Sequence, residues 1–451
     1  MEVVIHSLQQ TIRGWLNQIN PLWFDAVKTF LVQVGSQLIR LVSNLLFTYL
    51  LLPEYFGIMA LVNVLVTGVQ LLTDFGFNPA IQRSHHYSEK EFQLTAWSMQ
   101  WIRGIILCFL SCAMASSIAN FYRVADIEVL LMITSISLLL NGFCNIEIIL
   151  LPRKGMYYKA SLIDLKSQSI AIGIIVISFL FFNSIIQLAL IPVLYSLIRC
   201  LYAHKLSDRH QYKIHFKKKY CYELLGYGSV IFLSSSLSFI AQQYDKINLG
   251  TLLTMQTLGV FSIAVSLAEA PRLLMSQMSS KFFIPLYSRY RDISSEKLNA
   301  LILKKRFVPL FVFSLFIAVV IVFSDELISN CYASQYRDVG WMFSILVLGS
   351  WPIILCISYD SILYTHTKPW CPVFGQIMRF VHLLFIPLIY THYGMMLTVV
   401  WIASRDIWYW MVIQIGLKKM GHQYWKQDIK LSLCFVVILY LLLKFKASFI
   451  I

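Results

Sequence analysis

Apolar runs of about 20 residues, the length of a membrane-crossing helix, recur along the whole chain, and the breaks between them are short. Residues 26–50, 57–80, 93–119, 127–151, 166–183 and 185–203 form a first set. Residues 223–244, 257–280, 306–324, 340–362, 372–390, 394–416 and 429–443 form a second. In the hydrocarbon layer every backbone N–H and C=O must be satisfied without water, and a helix does this within one segment. The pattern therefore predicts an all-α, polytopic membrane protein with about 12–14 transmembrane helices. Composition agrees: of 451 residues 58% are hydrophobic and 13% charged, against about 25% charged in a soluble domain. A soluble enzyme, a secreted disulfide module and a disordered chain are excluded.

The distribution of Lys and Arg orients the spans. With the N-terminus in the cytosol, inner segments collect Arg83, Lys90, Arg153, Lys154, Lys159 and Lys166. They also take the cluster from Arg199 to Lys219, the group from Lys281 to Arg306, and Lys418, Lys419, Lys426 and Lys430. Outer segments hold only Arg123, Lys246, Arg337, Lys444 and Lys446. The net charge of +15 is thus carried by loops between apolar segments, and nucleic acid is not expected as a partner. Ile5, Leu8, Ile12, Trp15 and Ile19 make an apolar stripe, so residues 1–25 read as an interfacial amphipathic helix. No cleavable signal peptide is expected there. Residues 26–203 then form one six-span half, 204–222 a basic cytosolic linker, 223–416 a second half, and 417–451 an extra span and tail. Phe56-Gly57-Ile58-Met59-Ala60-Leu61 is a faint repeat of Leu258-Gly259-Val260-Phe261-Ser262-Ile263, as expected of parallel repeats.

Catalytic signatures are missing. No P-loop, metal-binding His pair or nucleophile elbow occurs, and His85, His86 and His366 are isolated loop residues. The nine cysteines follow no zinc or disulfide spacing. Function is expected instead from ionisable residues at membrane depth, each costing about 2.5–3.5 kcal/mol at a helix centre. Arg40 lies mid-span with Gln33, Ser36, Gln37 and Asn44, which give that helix one polar face. Arg103, Arg272 and Arg405 are further candidate cavity cations, and Asp245, Glu269 and Asp360 candidate ion-coupling carboxylates. Bland readings stand beside these. Glu269 and Arg272 have the spacing of a self-neutralising pair, and Arg379 is expected to snorkel to the cytosolic face. Asp245 and Lys246 are placed where their span meets the outer face, and Asp74 at a helix end. Arg405 and Asp406, being adjacent, point apart and cannot pair with each other. Pro192, Pro271, Pro352 and Pro387 permit kinks within spans. Trp401, Trp408, Tyr409 and Trp410 suit interfacial anchoring more cheaply than sugar stacking.

Several motifs resemble one family. Pro53-Glu54-Tyr55-Phe56-Gly57 and Thr73-Asp74-Phe75-Gly76-Phe77 resemble the N-terminal half of the polysaccharide transporter family, the Wzx-type oligosaccharide flippases of the MATE-like MOP exporter superfamily. Tyr244-Asp245-Lys246-Ile247-Asn248-Leu249-Gly250 and Phe283-Ile284-Pro285-Leu286-Tyr287-Ser288-Arg289 resemble elements of its second half. The resemblance implies two six-helix bundles around a central cavity open alternately to each face of a bacterial inner membrane. The implied cargo is an undecaprenyl-pyrophosphate-linked oligosaccharide for O-antigen, lipopolysaccharide, capsule or exopolysaccharide. A polysaccharide polymerase and chain-length machinery would be partners. No cofactor is implied; coupling to Na+ or H+ is left open. Outward movement of about two negative charges is favoured by roughly 4–5 kcal/mol per 100 mV of membrane potential. Two other classes are weighed: a MATE-like ion-coupled exporter of small molecules, disfavoured by the cationic bias of the mid-span charges, and a membrane polymerase or ligase, disfavoured by the short outer loops.

Overall fold

The computed structural model describes residues 21–72, 77–182, 184–206, 213–226, 229–283, 295–359 and 370–449. The calls on residues 1–20, on Asp74, on Asp360 and on His366 lie outside them. Among the described residues the secondary structure is helical throughout. The first half contains α1 (Pro21–Leu50), α2 (Pro53–Leu72), α3 (Phe77–Arg83), α4 (Lys90–Tyr122), α5 (Asp126–Phe143), α6 (Glu147–Leu150), α7 (Tyr157–Ser178) and α8 (Ile186–His204). The linker carries α9 (Lys218–Gly226). The second half contains α10 (Ser229–Leu252), α11 (Met255–Met278), α12 (Ser295–Val322), α13 (Ser324–Cys331), α14 (Val339–Gly349), α15 (Trp351–Ile357), α16 (Trp370–Leu383), α17 (Ile386–Lys418) and α18 (Trp425–Phe449).

Each expected span contains described helix, but the membrane-crossing set among the described residues is smaller. Nine helices are long and apolar enough to cross a bilayer, or ten if 334–349 and α15, bent by 42° at Ser350, act as one. The expected spans 223–244 and 372–390 meet the more polar α10 and the 14-residue α16. Boundaries follow local chemistry. Arg123 ends α4 in the left-handed conformation with φ 55°, and its amide bonds back to Asn120. Thr254 caps α11, its hydroxyl accepting from the Thr257 amide, so α10 and α11 reverse within two residues. In α17 Gly394 breaks the helix at φ 74°, where the span was expected to begin.

The outward-facing side chains are those of a lipid-facing bundle. Phe109, Val308 and Val436 lie mid-helix and more than half exposed. In water that surface would be an aggregation site, whereas acyl chains cover it at no hydrophobic cost. Helices of the first half pack on one another, as do those of the second, and the halves meet chiefly where α2 crosses α11 and α10. Gly57 and Gly259 sit at that crossing, and a Cβ on either would run into backbone of the other helix. Around it Tyr336 and Gln335 donate to the Leu51 carbonyl at 2.8 and 3.1 Å, Tyr49 to Cys331 at 2.8 Å and Tyr122 to Ile247 at 3.2 Å. The halves are thus joined most tightly at the end where α1 leads into α2.

Candidate functional site

Away from that sealed end, the polar face of α1 opens onto a cavity of about 680 Å³. Gln33, Ser36, Arg40, Ser43 and Asn44 project into it at helical spacing, opposed by Asn63 of α2, Ser161, Asp164 and Gln168 of α7, and Tyr195 of α8. Gln37, expected on the same face, is not among the lining residues. The Arg40 side chain is exposed to this space and makes no hydrogen bond or ion pair with a described residue. Asp164, the carboxylate in the same cavity, is already engaged: Arg199 Nε donates to it at 2.8 Å and the Tyr195 hydroxyl at 3.3 Å. Arg40 is therefore a guanidinium whose donors face a roomy hollow inside an apolar bundle, the setting in which an anion gains most from a fork of N–H groups.

A second hollow of about 250 Å³ shares Asn44, Phe56, Met59 and Asn63 with the first and reaches the other half through Gln243, Lys246, Ser262 and Ser266. Lys246 was expected beyond the end of its span, where that span meets the outer face. The helix α10 runs on to Leu252, so Asp245 and Lys246 lie well inside it. Lys246 is half-buried, with its amine on Gln243 Oε1 at 3.1 Å. The helix continues through Gly250, which packs closely against Leu61 and Tyr122.

The remaining expected residues are scattered. Arg103 donates to the Gln70 carbonyl at 2.8 Å in the last turn of α2, where a cation offsets the helix dipole. It lines a third hollow of about 350 Å³ with Gln100, Asn141 and Arg199. Arg272 and Glu269 border a small hollow of about 40 Å³ with Arg405 and Asp406. They do not pair with one another; Arg272 is half-buried and Glu269 exposed, with no partner among the described residues. Arg405 and Asp245 are brought together, the guanidinium on the carboxylate at 2.8 Å, 13% and 0% exposed. Asp406 turns to the other side and pairs at 2.6 Å with Arg379. The divergence expected of adjacent residues is seen, but Arg379 does not snorkel: it is fully buried. Arg306, expected in an inner loop, is also fully buried. It holds Asp428 at 2.6 Å and donates to the Leu355 carbonyl, with Tyr359, Trp410 and Gln414 bonding the same carboxylate.

Residues 46–340 match the family described as polysaccharide biosynthesis protein. The chain belongs to the polysaccharide biosynthesis protein family. Among curated proteins the chain is similar to the teichuronic acid biosynthesis protein TuaB of Bacillus subtilis (strain 168), 19% identical over 290 residues. That match spans 63% of this chain and 58% of TuaB. Among solved structures the fold is similar to the lipid II flippase MurJ in an inward closed conformation, at 16% identity and TM-score 0.72 over 92% of each chain. It is also similar to an inward-facing multidrug resistance MATE transporter of the MOP superfamily, at 17% identity and TM-score 0.58 over 92% of this chain and 94% of that one. This polysaccharide biosynthesis protein therefore has a fold similar to that MATE transporter and that flippase, in the family its motifs resemble.

Proposed function

We propose that this protein is a flippase that carries an undecaprenyl-pyrophosphate-linked oligosaccharide from the cytosolic to the outer leaflet of a bacterial inner membrane, for assembly of a surface polysaccharide. The observation that carries the reading is Arg40: a guanidinium without a partner among the described residues, on a polar helix face inside a cavity of about 680 Å³ within an apolar bundle. Amide and hydroxyl groups of Gln33, Ser36, Asn63, Gln168 and Tyr195 supply donors and acceptors of the kind sugar hydroxyls require. Arg40 supplies the charge that a pyrophosphate requires. Lys246, from the other half, adds a second cation beside the shared wall. The seal at the α1–α2 end and the adjoining hollows suit a state loaded from the opposite end. The charge of the passenger couples its outward movement to the membrane potential.

The test is complementation of a strain lacking the gene. Arg40→Ala is expected to abolish surface polysaccharide while Arg40→Lys retains part of it, both at wild-type protein levels in the membrane. Wild-type polymer with Arg40→Ala overturns the reading. Restored resistance to small cationic drugs in the same strain would replace the lipid-linked cargo with an exporter's.

A further inference from the structure

The described C-terminal part of the linker, residues 213–222, is tethered to the first half. Residues 213–217 run extended into α9 along the first turns of α4. The His215 amide donates to Ser98 Oγ at 3.0 Å, the Lys217 amine meets Glu91 at 2.5 Å, and Ser84 donates to Glu223 at 2.6 Å. Tyr220 and Leu224 of α9 are buried against Phe92 and Ile81. The opposite side of the segment is exposed: Ile214 at 60%, Phe216 at 48% and Tyr222 at 76%, interleaved with exposed Lys213, Lys218 and Lys219.

Height along α4 says what covers this face. Its 33 residues make a rod of about 50 Å at 1.5 Å per residue. The hydrocarbon layer is about 30 Å thick, so the ends of α4 stand in the headgroup regions. Ser98, which holds His215, lies about 12 Å from the start of α4. That is the depth at which acyl chains give way to phosphates, where aliphatic and aromatic side chains insert and lysines reach out.

We propose that residues 213–222 are a docking surface for anionic phospholipid headgroups, with Ile214, Phe216 and Tyr222 inserted at the acyl boundary and Lys213, Lys218 and Lys219 on the phosphates. The choice of an anionic lipid follows from charge complementarity: three exposed ammonium groups form no salt bridge among the described residues, Lys219 feeling Glu89 only weakly, whereas Lys217 is committed to Glu91. The assignment does not depend on the cargo, because it requires only that the bundle crosses a bilayer.

The test is native mass spectrometry of the full-length protein released from micelles with equal phosphatidylglycerol and phosphatidylcholine. The wild type should retain phosphatidylglycerol in preference, and added salt should weaken that preference. A lysine near an anionic surface is worth about fivefold in partitioning. The combined Lys213→Gln, Lys218→Gln and Lys219→Gln variant should therefore lose at least that factor, while the three Lys→Arg changes keep the preference. Ile214→Ser with Phe216→Ser should lower retention of both lipids. A wild type without preference, or a Gln variant that keeps it, overturns the proposal; the first result would leave an acidic protein as the occupant.

Discussion

Gly57 and Gly259 occupy equivalent places in the two halves and face each other at the crossing of α2 and α11. A Cβ on Gly57 would strike the Met255 carbonyl oxygen, and one on Gly259 the Pro53 carbonyl oxygen. Met255 precedes Gly259 by one helical turn and Pro53 precedes Gly57 by one, so the contact is symmetric. The same two glycines are the matched positions of the faint repeat in the sequence. Small residues let helix backbones approach closely in a membrane, and here that approach closes one end of the bundle. Gly57→Ala and Gly259→Ala are expected to force α2 and α11 apart at this end, at a cost of about 1–3 kcal/mol. Trapping by a short bifunctional thiol reagent between cysteines placed at Leu51 and Tyr336, whose hydroxyl bonds the Leu51 carbonyl in this state, should fall sharply in either variant. Unchanged trapping would show that the crossing does not control closure.

The pair Arg306–Asp428 makes a different prediction, because both side chains are fully buried and fix α18 against α12. Removing one member leaves an uncompensated charge, at about 3–5 kcal/mol. Asp428→Ala should therefore lower the melting temperature and the membrane yield severely. Arg306→Met with Asp428→Leu should recover much of the loss, since a matched apolar pair carries no desolvation penalty. A double variant as unstable as Asp428→Ala would mean that the surrounding Tyr359, Trp410 and Gln414 bonds, and not the charges, hold the helix.

What could be read in the sequence and what could not divides along one physical line. Span placement depends on local apolar runs, and each expected run holds described helix. Partner choice depends on helix phase and on contacts between distant segments. Lys304, Lys305 and Arg306 look like one basic loop cluster, yet successive helical residues differ by about 100° in direction. Lys304 and Lys305 are exposed while Arg306 turns inward. In the candidate site the polar face of α1 was legible because its members share a helix. The Arg405–Asp245 pair was not, because its members lie 160 residues apart. Lys246 was misplaced only through a helix end set too early.

That pair leads to a third prediction. Asp245 is fully buried, so Arg405→Ala exposes no solvent to it and strands a carboxylate. Arg405→Ala should destabilise more than Arg405→Ala combined with Asp245→Asn, whereas independent roles would give additive losses. Thermal melts of the four proteins in one detergent measure the coupling, and additivity would sink the assignment of a structural pair.

The clasp between linker and first half should respond to acid. Glu89 accepts from the Tyr220 hydroxyl and from His86, whose Nδ1 lies at 2.5 Å, and these bonds hold its carboxyl below its usual range, with Lys219 adding a smaller pull. A carboxylate with a lowered value contributes stability that is full above its ordinary value and is lost as pH falls through the lowered one. Docking of α9 should therefore be constant from neutral pH to about pH 5 and weaken below about pH 4. Hydrogen exchange across 213–226, corrected for the intrinsic rate, should show protection lost in that acid range. Glu89→Gln removes the charge, so it should lower protection already at pH 7 and flatten the acid response. A Glu89→Gln protein with wild-type protection and the same acid loss would place the sensitive contact elsewhere, at Glu91 and Lys217 on the same clasp.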